Sequence, residues 1–427
     1  MGAVSPFGWG LDALAAGLFA GRAAIGDVDV FDTAPHRTSV AGQVPSGAGD
    51  SDPGSNTSPS PFLDELRPKA RARLTRTDAF AVAAATEAVR RAELDPGATS
   101  TGVFLGSSTG GMLEGEAFYR CLSASGEARD RLRASGVAAQ PNNAPTDAVA
   151  RTLGTRGPSL TLASACSAAS MAIEAALDSL REGECDAALA GGADGLCELT
   201  YAGFNSLRAV DARPAQPFRK ERGGMSLGEG AGVLVLETLE HARARGAPIL
   251  AELAGAASSC DAHHMTAPDP SGDGLALAVR TALADAERRP DEVGLVNAHG
   301  TGTPLNDAAE WQGLAQVFET RLRELGFMAT KGAVGHLLGA CGGVEAIATV
   351  LALGRGEFPP TPGPSHELDE ACPARLAFDA PLRLEPGAGA LSVNLAFGGA
   401  NAALVFTPPP PASADSTTTN PRSGERA

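Results

Sequence analysis

The stretch Ser164-Ala165-Cys166-Ser167-Ala168-Ala169-Ser170 leads directly into residues 171–177, which have the composition of a helix. The small residues let the backbone turn sharply and leave the sulfur of Cys166 uncrowded. A cysteine at a helix start lies at the positive end of the helix dipole, which favours the thiolate over the thiol. A covalent acyl carrier needs a thiolate. A lone cysteine more often packs as a small buried hydrophobe, so this interpretation depends on two later segments.

Each of these segments places a histidine among small residues. They are Asn297-Ala298-His299-Gly300-Thr301-Gly302-Thr303 and Thr330-Lys331-Gly332-Ala333-Val334-Gly335-His336. Either histidine alone would more often be a core or loop residue with one satisfied hydrogen bond. Because the flanking residues let a substrate approach, Cys166 and the two histidines form a candidate nucleophile and acid/base set.

Four motifs, in this order, resemble those of the elongating β-ketoacyl-acyl-carrier-protein synthases. They are the Cys166 segment, His299-Gly300-Thr301-Gly302-Thr303, Lys331 with Gly335-His336-Leu337-Leu338-Gly339-Ala340, and Phe397-Gly398-Gly399-Ala400-Asn401. The resemblance runs from Gly2 to about Phe406. It implies an α/β fold with thiolase-like duplicated α/β layers (α-β-α-β-α).

Composition excludes several classes of protein. The chain has 427 residues, of which 43% are hydrophobic, enough for two or three domains. Its formal net charge of −16 argues against a general binder of nucleic acid or anionic membranes. Seven scattered cysteines, with no metal-type spacing and no signal peptide, predict a reducing cytoplasm and no metal site. No uncharged apolar stretch reaches the roughly 18 residues of a membrane span.

The chain divides into two similar halves. Residues 92–110 and 286–302 both read as helix, turn, strand and glycine-rich loop, and Ala165-Cys166 and Ala340-Cys341 each precede a helix. We predict an N-terminal half over residues 1–245 that carries the cysteine and a C-terminal half over 246–407 that carries both histidines. Residues 44–61 are predicted to form a flexible loop, and residues 408–427 a disordered tail.

The beginning of the chain falls inside the first motif of the family. Relatives have a short strand ahead of the segment that matches residues 2–8, so either the start is assigned too late or the strand is absent. A missing central strand would leave its neighbours with unpaired backbone groups.

The resemblance implies a two-stage reaction and no cofactor beyond a carrier-borne arm. Cys166 takes an acyl chain from the phosphopantetheine arm of acyl carrier protein. Malonyl-carrier protein then loses carbon dioxide, and its carbanion attacks the thioester. His299 and His336 suit donation of an N–H each to the developing enolate, and one of the two also serves decarboxylation.

The family motifs assign further roles around these three side chains. Phe397 gates the acyl pocket, and its N–H and that of Cys166 form the oxyanion hole. Ala396 stands where relatives more often have glycine, and alanine restricts the backbone at this position. Lys331 pairs with Glu345 and organises the site. Asp307 and Glu310 are assigned structural contacts, although the residues alone would equally suit a solvated face or acids at a helix start. Thr301 and Thr303 are assigned to the pantetheine site, and Thr109 and Met112 to the depth of the acyl pocket.

A cluster of basic residues stands out in an acidic chain. A basic rim would steer an acidic carrier protein, although a solvated basic loop explains the charges equally well. The cluster comprises Arg208, Arg213, Arg219, Lys220 and Arg222.

Alternatives of the same fold remain open. A priming condensing enzyme or thiolase would use a Cys-His-Asn or Cys-His-Cys set, and a chain-length partner subunit would lack the nucleophile. The chain is predicted to form a homodimer, or a heterodimer with a chain-length-factor-like subunit. Neither the pathway, fatty-acid or polyketide and polyene, nor the acyl chain length follows from the sequence.

Overall fold

The computed structural model describes residues 1–45, 60–124, 135–363 and 367–410, with the backbone alone for residues 135 and 136. The strands are β1 Gly2–Ser5, β2 Gly8–Trp9, β3 Gly26–Asp27, β4 Val40–Gly42, β5 Thr101–Gly106, β6 Ser159–Leu162, β7 Ala187–Asp194, β8 Leu227–Gly228, β9 Gly230–Glu237, β10 Glu252–Cys260, β11 Val293–Asn297, β12 Gly326–Met328, β13 Glu357–Phe358, β14 Leu382–Arg383, β15 Gly389–Leu395 and β16 Ala400–Thr407. The α-helices are α1 Leu11–Phe19, α2 Pro68–Arg71, α3 Arg76–Arg91, α4 Met112–Ser123, α5 Ser135–Ala138, α6 Ala144–Leu153, α7 Ala168–Arg181, α8 Glu198–Ser206, α9 Leu239–Ala244, α10 Asp273–Asp285, α11 Pro304–Phe318, α12 Lys331–Val334 and α13 Cys341–Arg355.

Two large sheets share one topology. Their strand orders are β2-β1-β9-β7-β5-β6 and β10-β16-β15-β11-β12. Apart from the extra β2, each position of the first sheet has an equivalent in the second, with the same antiparallel or parallel pairing to its neighbours. The duplicated α/β architecture predicted from the sequence is confirmed. The boundary at residue 245 stays a prediction, although it lies between the last strand of the first sheet and the first strand of the second.

The two sheets enclose a pair of helices. The apolar helices α7 and α13 contact each other and the inner faces of both sheets. Helices α3 and α6 cover one outer face, and α10 and α11 cover the other. Because both sides of each helix are packed, α7 is rich in alanine and α13 in alanine and glycine. At Gly106 of β5, a Cβ would lie 2.2 Å from the Ala169 nitrogen, so glycine permits this close helix-to-sheet contact.

The first residues of the chain belong to the first sheet. Residues Gly2–Ser5 themselves form β1, which pairs antiparallel with Ala231, Gly232 and Val233 of β9, so β1 fills this position in the sheet along three of the eight residues of β9. The buried carboxylate of Glu87 on α3 accepts the N–H groups of Ala3 and Leu11 and holds the segment in place.

The predicted loop and tail lie mostly outside the described residues. Of the loop at 44–61, only 44, 45, 60 and 61 are described, and Val44 is buried with its N–H donated to Glu229 Oε1, so the surface loop cannot begin there. Of the tail at 408–427, residues 408–410 are described.

The internal repeat aligns differently in the structure from the way it aligns in the sequence. Three-residue 3-10 turns, Ala165–Ser167 and Leu338–Ala340, precede α7 and α13, and both begin with positive φ, 49° at Ala165 and 53° at Leu338. Gly339, not Cys341, is therefore the counterpart of Cys166. The sequence comparison paired Cys166 with Cys341 because composition alone cannot locate the turn that precedes each helix.

Among the described residues, one segment is long and apolar enough, by length and composition, to cross a membrane. It is Leu338–Arg355, and 78% of it is buried inside the protein. This segment contains α13, one of the two central helices, so its hydrophobicity is explained by packing between the two sheets.

Candidate active site

Cys166 lies in the turn that links β6 to α7. The positive φ of Ala165 directs the chain into the helix, and Ser108 Oγ donates to the Ala165 carbonyl at 3.3 Å. Ser167 Oγ donates to the carbonyl of Ala400 at 2.7 Å, which ties the turn to the second sheet. The helix-start position predicted for the cysteine is confirmed.

The resting state of Cys166 differs from the predicted thiolate. Burial raises the pKa of its thiol to about 11, while the positive charge of Lys331 and the N–H of Phe397 act in the opposite direction. Desolvation therefore outweighs the favourable helix start, and the thiol is the ground state. The same N–H groups, those of Phe397 and Cys166, would stabilise an anion on the sulfur or on a thioester oxygen.

His336 is a neutral imidazole of defined tautomer. Burial, and then the charge of Lys331, lower its pKa to about 3. Its Nδ1 accepts the N–H of Leu338 at 3.0 Å, so the ring proton resides on Nε2. That buried Nε2 has no partner among the described protein atoms and is available to a substrate oxygen.

His299 has the same tautomer for a different reason. Burial, followed by the charge of Lys331, lowers its pKa well below 6.5. Lys331 Nζ lies 3.0 Å from its Nδ1, and Asn394 Nδ2 lies 3.2 Å from the same atom. An ammonium only donates, so Nδ1 accepts and Nε2 carries the proton.

The three predicted side chains converge. Cys166 Sγ and one nitrogen from each of His299 and His336 all lie within 4.8 Å of one another. By spacing alone such a set could hold a metal ion. Its protonation opposes this, because each Nδ1 accepts a hydrogen bond and each Nε2 holds a proton, whereas a metal needs a free nitrogen lone pair. The arrangement offers two N–H donors beside a sulfur.

Lys331 and Glu345 form the buried ion pair that the sequence predicts. The distance from Lys331 Nζ to Glu345 Oε1 is 2.5 Å, and both side chains are almost fully buried. Glu345 Oε2 accepts Asn394 Nδ2 at 2.7 Å, so the carboxylate also orients the amide that faces His299.

Asp307 and Glu310 are buried acids on α11 that hold the neighbouring loops. Glu310 accepts the backbone N–H groups of His299 and Gly300 at 2.6 and 2.8 Å. Asp307 accepts those of Phe218 and Gly302 at 2.8 and 3.1 Å. Burial raises the pKa of both carboxyls, that of Glu310 to about 8. Their contacts are the structural ones that the resemblance implies, and the solvated-face alternative is wrong.

Phe397 covers one side of the site. Its ring stacks on Phe204 at a centroid distance of 5.5 Å. The following Gly398 and Gly399 have φ of 87° and 82°, a conformation that disfavours other residues. Ala396 is not among the described non-glycine residues with positive φ, so alanine fits its place without strain.

A cavity of about 290 Å³ leads to the three catalytic candidates. Its lining includes Cys166, His299 and His336, together with Thr301 and Thr303, whose pantetheine site stays a prediction. Thr109 and Met112 do not line it as the structure describes it, and the Thr109 hydroxyl instead donates to Asp194 at 2.9 Å. A larger cavity of about 800 Å³ contains none of the predicted site residues.

The basic cluster separates into two kinds of residue. Arg219 and Arg222 are buried: Arg219 donates to the Thr361 carbonyl at 2.7 Å, and Arg222 pairs with Asp307 and Asp369. The docking role predicted for these two is therefore wrong, because their guanidinium groups serve internal acceptors. Arg208, Arg213 and Lys220 are exposed, and only Arg208 of the five lines the cavity.

Three residues of the site were missed from the sequence. Asn394 contacts His299 and Glu345, and Phe204 stacks on Phe397. Asp194 accepts hydrogen bonds from Ser107, Ser108, Thr109 and Gly339 and so joins the two halves. Asn394 and Asp194 were detectable as polar residues within or ending apolar strands, but nothing in the sequence marks Phe204.

The fold and the site together define a condensing enzyme of the thiolase-like class. The chain belongs to the β-ketoacyl synthase family. The model of the β-ketoacyl synthase N-terminal domain matches residues 1–242 and that of the C-terminal domain residues 250–364. Its activity is accordingly that of a condensing acyltransferase in fatty-acid or polyketide synthesis.

Individual relatives agree over almost the whole chain. The 3-oxoacyl-[acyl-carrier-protein] synthase 2 of Synechocystis sp. is 35% identical over 95% of this chain and 96% of its own length. The synthase of the same name from Staphylococcus aureus is 34% identical over 95% and 99%. Among solved structures, the ishigamide ketosynthase/chain length factor superposes with a TM-score of 0.85 at 33% identity, over 96% of this chain and 98% of that one. A β-ketoacyl synthase from Burkholderia phymatum STM815 gives 0.79 at 31%, over 96% and 98%.

Proposed function

We propose that Cys166 carries the growing acyl chain and that His299 and His336 stabilise the enolate of the malonyl unit that extends it. One observation carries this assignment: a sulfur and two neutral imidazoles lie within 4.8 Å of one another at the end of a cavity. Lys331 is the organiser, because it touches His299 and Glu345 and lowers the pKa of both histidines.

Acyl loading is a thioester exchange. The Cys166 sulfur attacks the carbonyl of an acyl-phosphopantetheine, a new S–C bond forms, and the bond to the pantetheine sulfur breaks. The proton of the Cys166 thiol ends on the released pantetheine thiol. The N–H groups of Cys166 and Phe397 stabilise the oxyanion of the tetrahedral intermediate.

Condensation follows when malonyl-phosphopantetheine occupies the same channel. Loss of carbon dioxide leaves its bonding electrons on an enolate whose oxygen accepts the Nε2–H groups of His299 and His336. The enolate carbon attacks the acyl carbonyl, a C–C bond forms, and the C–S bond to Cys166 breaks. The thiolate then recovers a proton from solvent. Thr301 and Thr303, whose hydroxyls lie 2.8 Å apart in the channel, suit a pantetheine amide.

The test is intact-mass analysis after incubation with acyl-carrier protein. Wild-type protein should gain one acyl group, Cys166→Ala none, and the control Cys185→Ala, which alters another buried cysteine, should gain the group normally. A persistent adduct on Cys166→Ala would overturn the assignment. Graded acyl lengths in the same assay would reveal the chain-length preference.

The partners form a second part of the proposal. Solved relatives include a type II polyketide synthase acyl-carrier protein in complex with its ketosynthase, and a ketosynthase in complex with its chain length factor. We infer that this chain receives an acidic carrier protein at the cavity mouth, where Arg208 is exposed beside Leu207. Arg208→Ala should weaken carrier binding most at low salt, with Arg213→Ala as the control. Equal binding by Arg208→Ala and wild type would place the docking site elsewhere.

The assembly and the setting of the enzyme complete the proposal. A dimer is proposed, with itself or with a chain-length-factor-like subunit, and light scattering of the chain purified alone distinguishes the two. The substrates arrive on phosphopantetheine arms, so no resident cofactor is proposed. The seven cysteines are all free in the described structure, which supports a reducing, cytoplasmic setting.

The priming and thiolase alternatives make a different chemical demand. Their Cys-His-Asn or Cys-His-Cys sets do not use a second histidine as the enolate donor. Here Asn394 faces His299 but donates to its Nδ1, on the opposite side of the ring from Nε2, and its amide is shared with Glu345. Asn394 therefore supports the histidine rather than replacing His336. Condensation with acyl-carrier but not acyl-coenzyme A primers would favour the elongating function.

A further inference from the structure

Nδ1 of His336 faces two hydrogen-bond donors. The backbone N–H of Leu338 lies 3.0 Å away, and the sulfur of Cys341 lies 3.5 Å away. Cys341 is the first residue of α13 and is buried directly behind the imidazole. The reaction steps above leave this thiol without a role.

We propose that Cys341 is a positioning residue for the condensation step: its S–H donates to Nδ1 of His336 and, with Leu338, keeps the Nε2–H directed toward the reacting atoms. This proposal rests on the enolate-donor role of His336. It adds a residue that acts through the imidazole and does not touch the substrate.

The protonation of Cys341 makes it a donor. Burial raises the pKa of the Cys341 thiol well above 9.0. This effect exceeds the opposing effects of the Lys331 charge and the Leu337 backbone hydrogen bond. The sulfur therefore carries its proton near neutral pH. Since the pKa of His336 is low, its Nδ1 is a lone-pair acceptor, and the donor and acceptor match.

The position of Cys341 explains why a second donor is useful. The ring of His336 meets the His299 ring edge-on, with centroids 5.5 Å apart, and lies 6.5 Å from Phe204. Leu338 itself sits in the strained turn with φ of 53°, so its N–H is held by a short irregular segment. A donor on the first residue of the longer helix α13 gives the imidazole a second, rigid anchor.

The experiment compares Cys341→Ala with Cys341→Ser, which differ by a single donor hydroxyl. Radiolabelled malonyl-carrier decarboxylation and acyl loading of Cys166 are measured separately. We expect Cys341→Ala to lower kcat for decarboxylation roughly two- to tenfold, the range of one neutral hydrogen bond, while KM and acyl loading stay unchanged. Cys341→Ser should restore most of the rate. Cys341→Val and Cys341→Thr repeat the comparison at larger volume if the alanine variant is unstable.

A spectroscopic readout separates this proposal from the proposed function. In protein labelled with ¹⁵N-histidine, the Nδ1 resonance of His336 should shift in Cys341→Ala and return in Cys341→Ser. Equal rates in all variants with an unshifted resonance would overturn the proposal, as would equal losses in the alanine and serine variants. If instead the resonance shifts as expected while His336→Ala retains normal decarboxylation, the enolate-donor assignment fails and the hydrogen bond itself stands.

Discussion

Lys331 Nζ lies 3.0 Å from Nδ1 of His299, while the same ammonium group pairs with Glu345 at 2.5 Å. One buried lysine thus sets the tautomer of an imidazole and neutralises a carboxylate. Its charge also contributes to the lowered pKa of both histidines. Burial keeps the two enolate donors neutral, and a cation that touches only one of them adds to that effect on both.

Removal of that cation should destabilise the fold. Lys331→Met leaves the Glu345 charge buried without its ammonium partner, which costs about 3–5 kcal/mol in comparable buried pairs. The double variant Lys331→Met/Glu345→Gln removes the charge and should recover part of the loss. Urea unfolding of both measures the difference. Equal stability of the single variant and wild type would mean that the lysine contributes no net pairing energy.

The low pKa of His336 should make stability depend on pH. The folded value is about 3 and the ordinary value 6.5, so between these the unfolded chain binds a proton that the folded protein does not. Stability therefore rises with pH across this window, by up to about 1.4 kcal/mol per pH unit for one group. His336→Asn removes that contribution. Subtracting the variant's profile of unfolding free energy against pH from that of the wild type cancels the contribution of the carboxylates, which both proteins share. Parallel wild-type and variant profiles from pH 4.5 to 6.5 would contradict the neutral assignment.

The sequence predicted the parts of this site that depend on local motifs. Cys166, His299, His336 and Lys331 each stand in a short stretch whose small residues and order are distinctive, and Glu345 follows one helix later. What the sequence could not provide was the environment. Burial of Cys166 reverses its expected pKa shift, and burial of Arg219 and Arg222 removes them from the surface. Desolvation depends on contacts between distant segments, which no local pattern encodes.

The internal duplication was also only partly predictable from the sequence. Repeated helix, strand and glycine-loop patterns predicted two similar halves, and the matching strand orders bear this out. The residue-level alignment failed, because Ala165 and Leu338 are equivalent through a shared positive φ rather than a shared residue type. Asp194, which accepts hydrogen bonds from both halves, likewise has meaning only after the halves have packed.

The two kinds of arginine should respond differently to substitution. Arg222 is buried against Asp307 and Asp369, so Arg222→Ala should destabilise the protein by about 3–5 kcal/mol and disturb the loop at Gly302. Arg213 is about half exposed, and Arg213→Ala should cost about 0–1 kcal/mol. Thermal unfolding of both variants provides the comparison. Similar losses for the two would show that burial does not distinguish them.

Phe397, the proposed gate, follows an alanine with an ordinary backbone conformation. Ala396 is not among the described non-glycine residues with positive φ, its N–H donates to the Ala400 carbonyl at 2.8 Å, and its own carbonyl accepts the N–H of Gly399 at 3.0 Å. Alanine at this position is unstrained, so Ala396→Gly should leave the rate of Cys166 acylation unchanged for short and long acyl carriers. It should lower stability by about 0.4–1 kcal/mol, because glycine gives the unfolded chain more freedom.

The matched control is Gly398→Ala, two residues further along. Gly398 has φ of 87°, and no atom lies within 4 Å of the place where a Cβ would stand. A methyl group there meets no atom, but alanine disfavours this backbone conformation. That variant should cost about 1–2 kcal/mol and should change the acylation rate if the loop must keep this conformation. Pre-steady-state acylation across chain lengths measures both variants. Faster loading of long chains by Ala396→Gly would show that the open gate passes through a conformation that alanine resists, and that the φ of residue 396 changes sign as Phe397 moves.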